Sequence, residues 1–177
     1  MDVNRSNTMK TNGTKPAENG QKTASHKVDI DDLDKSILRH LQEDGKASLR
    51  DLAEKLGSSV STIKNHVDRL NDQGVIKHTI AVLDCCKVGY REMLLMSIRI
   101  STSRSIQEIF TDLEKIETIN AIYQVSGAYP IFCMAKCVEK EDEISLLEMV
   151  KKVQGVEEIV TQIVLQRHKE DFRINIP

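Results

Sequence analysis

The stretch Leu56-Gly57-Ser58-Ser59-Val60-Ser61-Thr62-Ile63-Lys64-Asn65-His66-Val67-Asp68-Arg69-Leu70 decides how the first half of the chain is read. Val60, Ile63, Val67 and Leu70 recur at helical spacing and form one apolar stripe, which predicts a helix. Ser59 is its N-cap, a residue whose hydroxyl can accept from the unpaired amides of the first turn. Gly57-Ser58 leaves only a short turn before it, and Gly74 ends it.

Working outward, Ser48 and Asp51 have capping spacing, and Leu52, Ala53 and Leu56 carry a second helix up to Gly57. Further upstream, Leu33, Ile37, Leu38 and Leu41 mark a first helix. Acidic residues at its start suit the positive helix end. Downstream, Val75, Ile76, Thr79, Ile80 and Val82 have strand character. Three short helices, a tight turn before the third and a strand after it predict a winged helix-turn-helix over residues 29–79.

The second half has another rhythm. Apolar alternation predicts strands at 93–100, 119–125, 131–138 and 158–166, and helices at 105–116 and 141–153. The order is βαββαβ, so the fold class expected for the whole chain is α+β. A winged helix-turn-helix is followed, after a linker at 80–90, by a ferredoxin-like domain at 91–168 and a tail at 169–177. Leu94, Met96, Ile98 and Ile100 share one strand face that two helices can cover. Met93 and Leu95, with Phe132, Met134 and Val138 of the third strand, make the other face apolar too. Packing two such faces together removes them from water, so a homodimer through this domain is expected.

Composition narrows the functions. The formal net charge of −2 argues against a protein that coats nucleic acid through bulk charge. Any contact with DNA must come from a local basic face, or from residues 1–28, where Arg5, Lys10, Lys15, Lys22 and Lys27 outnumber Asp2 and Glu18. Those 28 residues are polar and aperiodic and are expected to be a disordered tail. No apolar window is long enough for a membrane span and no leader is evident, which predicts a cytoplasmic protein without membrane contact. Cys85, Cys86, Cys133 and Cys137 have no nearby His at metal-ligand spacing, so they are read as reduced small hydrophobes, with no metal or cofactor.

With the stripe of the third helix turned inward, its outward residues are Ser61, Thr62, Lys64, Asn65, His66 and Arg69, beside the cap Ser59. In a helix-turn-helix this helix enters the major groove of double-stranded DNA. Asn can pair bidentately with adenine, and Lys can reach guanine O6 and N7. Lys46, Arg50 and Lys77 stand where phosphate contacts are expected.

The chain resembles the Lrp/AsnC (leucine-responsive, feast/famine) transcription regulators across about residues 30–166. The residues that carry the likeness are Leu33-Asp34 before Ile37-Leu38, Asp51-Leu52-Ala53, residues 56–62, Arg69-Leu70 before Gly74-Val75-Ile76, residues 125–129, and Gly155-Val156 leading to Thr161. The resemblance implies dimers through the βαββαβ domain, higher even-numbered oligomers, and an amino acid or related effector bound between dimers. Carried onto this chain, the effector region is Gly127, Ala128, Tyr129 and Pro130, with Thr161. Pro130 stands where the family often has an acidic residue able to hold an α-amino group, and Asn65-His66 where Arg is frequent.

Two other readings use the same architecture. Sirohaem decarboxylases resemble it, but residues 126–129 hold no His-Asn-Tyr stretch, and the second domain has a single His, His168. No acid/base pair or phosphate loop is evident, so no enzyme is expected. A co-regulator that binds DNA weakly within mixed oligomers is the other.

Overall fold

The structure is a computed structural model that describes residues 28–177. The tail expected at 1–28 therefore lies, apart from Val28, outside the described residues.

Three helices open the described residues: α1 (Asp32–Glu43), α2 (Leu49–Leu56) and α3 (Val60–Asp72). Each begins at a residue built to cap it. Asp31 and Asp34 form a reciprocal capping box on α1, and Ser48 and Asp51 form one on α2. The Ser59 hydroxyl accepts from the Thr62 amide at 3.1 Å, which caps α3 two residues after Gly57, whose φ of +61° turns the chain. Ile37, Leu52, Ala53, Ile63 and Leu70 are buried where the three helices meet, with Val67, Val75 and Ile76 packed against them.

Two expectations fail here. Val60, placed in the stripe, is 47% exposed in the first turn of α3 and does not join the helical core. The strand expected after α3 is not formed among the described residues. Val75 and Ile76 fold back onto the helical core, while Ile80 and Val82 stand in solvent, 77% and 72% exposed. Strand propensity cannot make a strand without a neighbour to hydrogen-bond, and this single chain brings none to residues 77–84.

The second half forms one antiparallel sheet of β1 (Glu92–Ile100), β2 (Ile119–Gln124), β3 (Ile131–Cys137) and β4 (Val156–Ile163), in the order β2-β3-β1-β4. Helices α4 (Ile106–Leu113) and α5 (Lys140–Lys152) complete the βαββαβ order. Buried Leu94, Met96, Ile98, Ile131, Cys133, Ala135 and Cys137 meet Ile109, Leu113, Leu146 and Val150 of the helices. β4 begins at Val156 and stops at Ile163, earlier than the periodicity suggests. Its partner β1 starts at Glu92, so beyond the bond from Val164 N–H to the Met93 carbonyl no ladder is left.

Among the described residues no helix covers the opposite sheet face. Cross-strand register lays Tyr123, Phe132, Ser97 and Val160 in one row, and Ala121, Met134, Leu95 and Gln162 in the next. Tyr123 and Phe132 pack with ring centroids 6.4 Å apart.

The C-terminal residues return to the helical domain. The Gln42 side chain of α1 donates to the Ile174 carbonyl at 3.1 Å and accepts from its amide at 2.7 Å, and Arg39 donates to the Ile176 carbonyl.

Candidate nucleic-acid interface and effector turn

The N-terminus of α3 is exposed and its hydroxyls are organised. Ser59 Oγ lies 2.9 Å from Ser61 Oγ and 2.8 Å from Thr62 Oγ1, a cluster at the end where amides and the helix dipole favour an anion. Lys64 and Asn65 are exposed on the next turn. Lys64 is held by an ion pair with Asp68, four residues on, which a competing phosphate or base would have to displace. Lys46, Arg50 and Lys77 are all exposed, Lys46 and Arg50 flanking the start of α2 and Lys77 just past α3.

His66 and Arg69 are placed differently from expectation. Rather than standing wholly outward, both turn toward α1. His66 Nδ1 lies 2.8 Å from Asp34 Oδ1, and Arg69 pairs with the other Asp34 oxygen while approaching Asp31 at 3.5 Å. The side chain of Asp34 is fully buried. Burial alone pushes its carboxyl up, but hydrogen bonds from His66 and Arg69 outweigh it and hold the carboxyl below the usual range. Asp31, Asp34 and His66 bring three potential ligand atoms within 4.8 Å of one another. Arg69 already supplies the positive charge there, so the cluster is a salt-bridged clamp between α1 and α3. Asp34 was missed as a partner at the sequence level, where it counted only as an acidic first-turn residue. Its signal was position: it lies three residues before Ile37, inside the buried stripe of α1, where a lone carboxylate cannot remain.

The turn expected to take part in effector binding leaves β2 and enters β3, closed by Val125 N–H donating to the Pro130 carbonyl at 2.9 Å. Gly127 has φ +113°, a conformation L side chains rarely adopt. The guanidinium of Arg99 lies 5.9 Å from the Tyr129 ring centroid and also pairs with Glu158, tying the turn to β1 and β4. Arg99 is a second residue that pattern reading did not single out. Thr161 does not join this group: it is exposed on edge strand β4, opposite Met96, two strands across from β3. Two cavities lie elsewhere, one at Arg104, Asp112 and Met149, the other at Cys85, Lys136 and Arg167.

Comparison with known proteins agrees with both halves. The winged helix-turn-helix DNA-binding family matches residues 30–77, and the Lrp/AsnC ligand-binding domain matches residues 94–174. An HTH-type transcriptional regulator of Pyrococcus furiosus is 36% identical over 147 residues, 83% of this chain and 99% of the relative. The chain belongs to the Lrp/AsnC family. It is therefore a DNA-binding transcription regulator with a ligand-binding domain of Lrp/AsnC type. The regulator FL11 of Pyrococcus horikoshii is 31% identical, covering 85% of this Lrp/AsnC chain and 99% of its own length. The leucine response regulatory protein LrpA of Mycobacterium tuberculosis superposes with a TM-score of 0.75 at 26% identity, over 84% of this chain and all of that one. The AsnC structure from E. coli, at 23% identity, 81% coverage of this chain and 97% of its own, shares the fold with a TM-score of 0.74.

Proposed function

We propose that this Lrp/AsnC regulator acts as a non-catalytic homodimer that reads a pseudo-palindromic operator with α3 and responds to an amino acid or related metabolite. Ser61, Thr62, Lys64 and Asn65 meet base edges. Ser59 and the first amides of α3, with Lys46, Arg50 and Lys77, hold phosphates. His66 and Arg69 contribute chiefly by fixing α3 against Asp34, with the remaining guanidinium surface of Arg69 facing the backbone of the duplex. The observation that carries this reading is that asymmetry of α3: its rear is locked by a buried ion pair, while its N-terminal face stays open and polar.

The open sheet face is the dimer contact, and further even-numbered assembly follows from the family. In one chain the Gly127–Pro130 turn and Thr161 lie too far apart for one small ligand, about two strand spacings of roughly 4.8 Å plus the turn. The effector is accordingly bound where copies meet, as the family suggests. Pro130 cannot hold an α-amino group by charge, so the amide groups of the turn and Tyr129 take more of the recognition. A regulator that acts on DNA in this way works in the cytoplasm, where the operator is.

Selection of bound duplexes from a random library, followed by binding across a salt series, tests the reading. The expected result is a pseudo-palindrome whose half-sites lie one helical turn apart. Asn65→Ala should lose about 1–3 kcal/mol at one base position, and Lys77→Ala should weaken all sequences alike. Recovery of no motif, with weak binding even at low salt, would instead support the co-regulator reading.

A further inference from the structure

Residues 84–90 form a tight coil between the helical domain and β1. The Asp84 carboxylate accepts from the Cys86 amide at 3.1 Å, and the Tyr90 amide donates to the Cys85 carbonyl at 2.9 Å. This holds Cys85 and Cys86 at the rim of a cavity of about 300 Å³, lined also by Arg91, Glu92, Lys136 and Arg167. Lys136 Nζ lies 3.1 Å from Cys85 Sγ, and an Arg167 nitrogen lies 3.4 Å from Cys86 Sγ. Three cationic side chains face Glu92, and Arg167 is also paired with Glu170 at 3.0 Å, which leaves the cavity a small positive balance. Expectation had made all four cysteines small hydrophobes. That description suits Cys133 and Cys137, which are buried in the sheet core, but not Cys85, which is half-buried, or Cys86, which is exposed.

The two pairs also differ in chemistry. The Lys136 hydrogen bond, aided by the charge of Arg167, holds the Cys85 thiol below its ordinary value, toward the nucleophilic thiolate. Burial pushes Cys133 up to about 12, and burial with nearby carboxylates pushes Cys137 up to about 11, leaving both inert. Cys86 is a poor partner for a disulfide with Cys85. Adjacent residues have Cα atoms about 3.8 Å apart, closer than the roughly 4.4–6.8 Å that unstrained disulfides span. A thiol that bonds to Cys85 must come from outside, and the cationic cavity selects an anionic one.

We propose that Cys85 is a modification site, oxidised by a hydroperoxide and then captured as a mixed disulfide by an anionic low-molecular-weight thiol seated among Arg91, Lys136 and Arg167. In the first step the sulfur attacks one peroxide oxygen. An S–O bond forms, the O–O bond breaks, sulfur loses two electrons and the departing oxygen takes a proton to leave as water or alcohol. In the second, the incoming thiol attacks this sulfur. An S–S bond forms, the S–O bond breaks, and the hydroxyl leaves as water with the thiol's proton.

The test treats the reduced full-length protein with hydrogen peroxide and glutathione, and follows adducts by intact-protein and peptide mass spectrometry. One glutathionyl group should appear on Cys85, be lost in Cys85→Ser and persist in Cys86→Ser. Lys136→Gln and Arg167→Gln, checked by thermal unfolding, should each slow addition near neutral pH, Lys136→Gln the more, because removing the hydrogen-bonded cation lowers the thiolate fraction of Cys85. Cysteamine, a cationic thiol, should add more slowly than glutathione. Adducts on Cys86 or spread evenly, equal rates for the two thiols, rates unchanged in both folded variants, or a Cys85–Cys85 disulfide between copies would each overturn the proposal.

Discussion

His66 Nδ1 on α3 lies 2.8 Å from Asp34 Oδ1 on α1, a carboxylate with no solvent exposure, and Arg69 occupies the second oxygen. Helix α3 is thus oriented by an ion pair to the helix that packs behind it, 32 residues away in the chain. Apolar packing of Ile63 and Leu70 sets how close α3 sits; the polar clamp adds a fixed rotation about its axis.

Replacing Asp34 by Ala should destabilise the helical domain by about 2–3 kcal/mol. The loss lies at or below the low end for breaking a buried pair, because Arg69 stays partly in water. Thermal unfolding of Asp34→Ala against the parent chain measures it, and a change under about 0.5 kcal/mol would show that the clamp is not holding the helices together.

The same carboxyl gives a pH dependence. Its folded value lies below the unfolded one, so its contribution is present above about pH 4, the ordinary Asp value, and is lost as the pH falls through the folded value. The acid limb of the unfolding profile should be shallower in Asp34→Asn. Parallel profiles would mean that other carboxyls dominate acid unfolding.

Glu143 on α5 titrates the other way. The adjacent Glu92 carboxyl and burial push it up to about 7, and its Oε1 is buried without a hydrogen-bond partner. A raised folded value means that stability is fullest below the ordinary Glu value, about 4.5, and declines as the pH rises through 7. Glu143→Gln should therefore melt higher than the parent at pH 8, by about 1–2 kcal/mol in stability, with the gap closing toward pH 5. A gap independent of pH would show that the gain is not electrostatic.

Gly155 lies between α5 and β4 with φ +93°, and a Cβ there would sit 2.8 Å from Ile109 Cδ1. Gly155→Ala adds backbone strain to a clash in the core, for an expected loss of about 1–3 kcal/mol. Urea unfolding measures it, and pairing the change with Ile109→Val should recover the steric part alone.

The open sheet face should be sensitive to charge. Met134→Asp places a carboxylate in the middle of the row formed by Ala121, Leu95 and Gln162. Sedimentation should show a loss of dimer, with the monomer still folded by circular dichroism. A dimer of unchanged strength would move the interface off this face.

Local chemistry was legible before any coordinate. The helix starts at Ser48, Ser59 and Ser105 follow from hydroxyls spaced to cap their own first turns, and the buried sheet face follows from alternation in β1 and β3. The residues named for DNA contact were legible as an exposed helical face, but the orientation of His66 and Arg69 was not. Helical periodicity assigns a face to a Cα, whereas a long side chain at the edge of that face swings toward whatever charge lies within reach. The strand expected after α3 did not form for a related reason, since Ile80 and Val82 favour extended backbone whether or not a second strand is there to pair with them.

By itself, the sequence determined what depends on neighbours along the chain: the capped helices, the apolar stripes, the βαββαβ order and the family motifs. The tertiary structure alone decided what depends on residues far apart in sequence. Asp34 with Arg69, Arg99 with Tyr129, Cys85 with Lys136, and Gln42 with the backbone of Ile174 are separated by between 30 and 132 residues. Periodicity reports which side of an element is buried. Which charge a buried group finds there is set only when the elements pack, because electrostatic and hydrogen-bonding partners are chosen by distance in space.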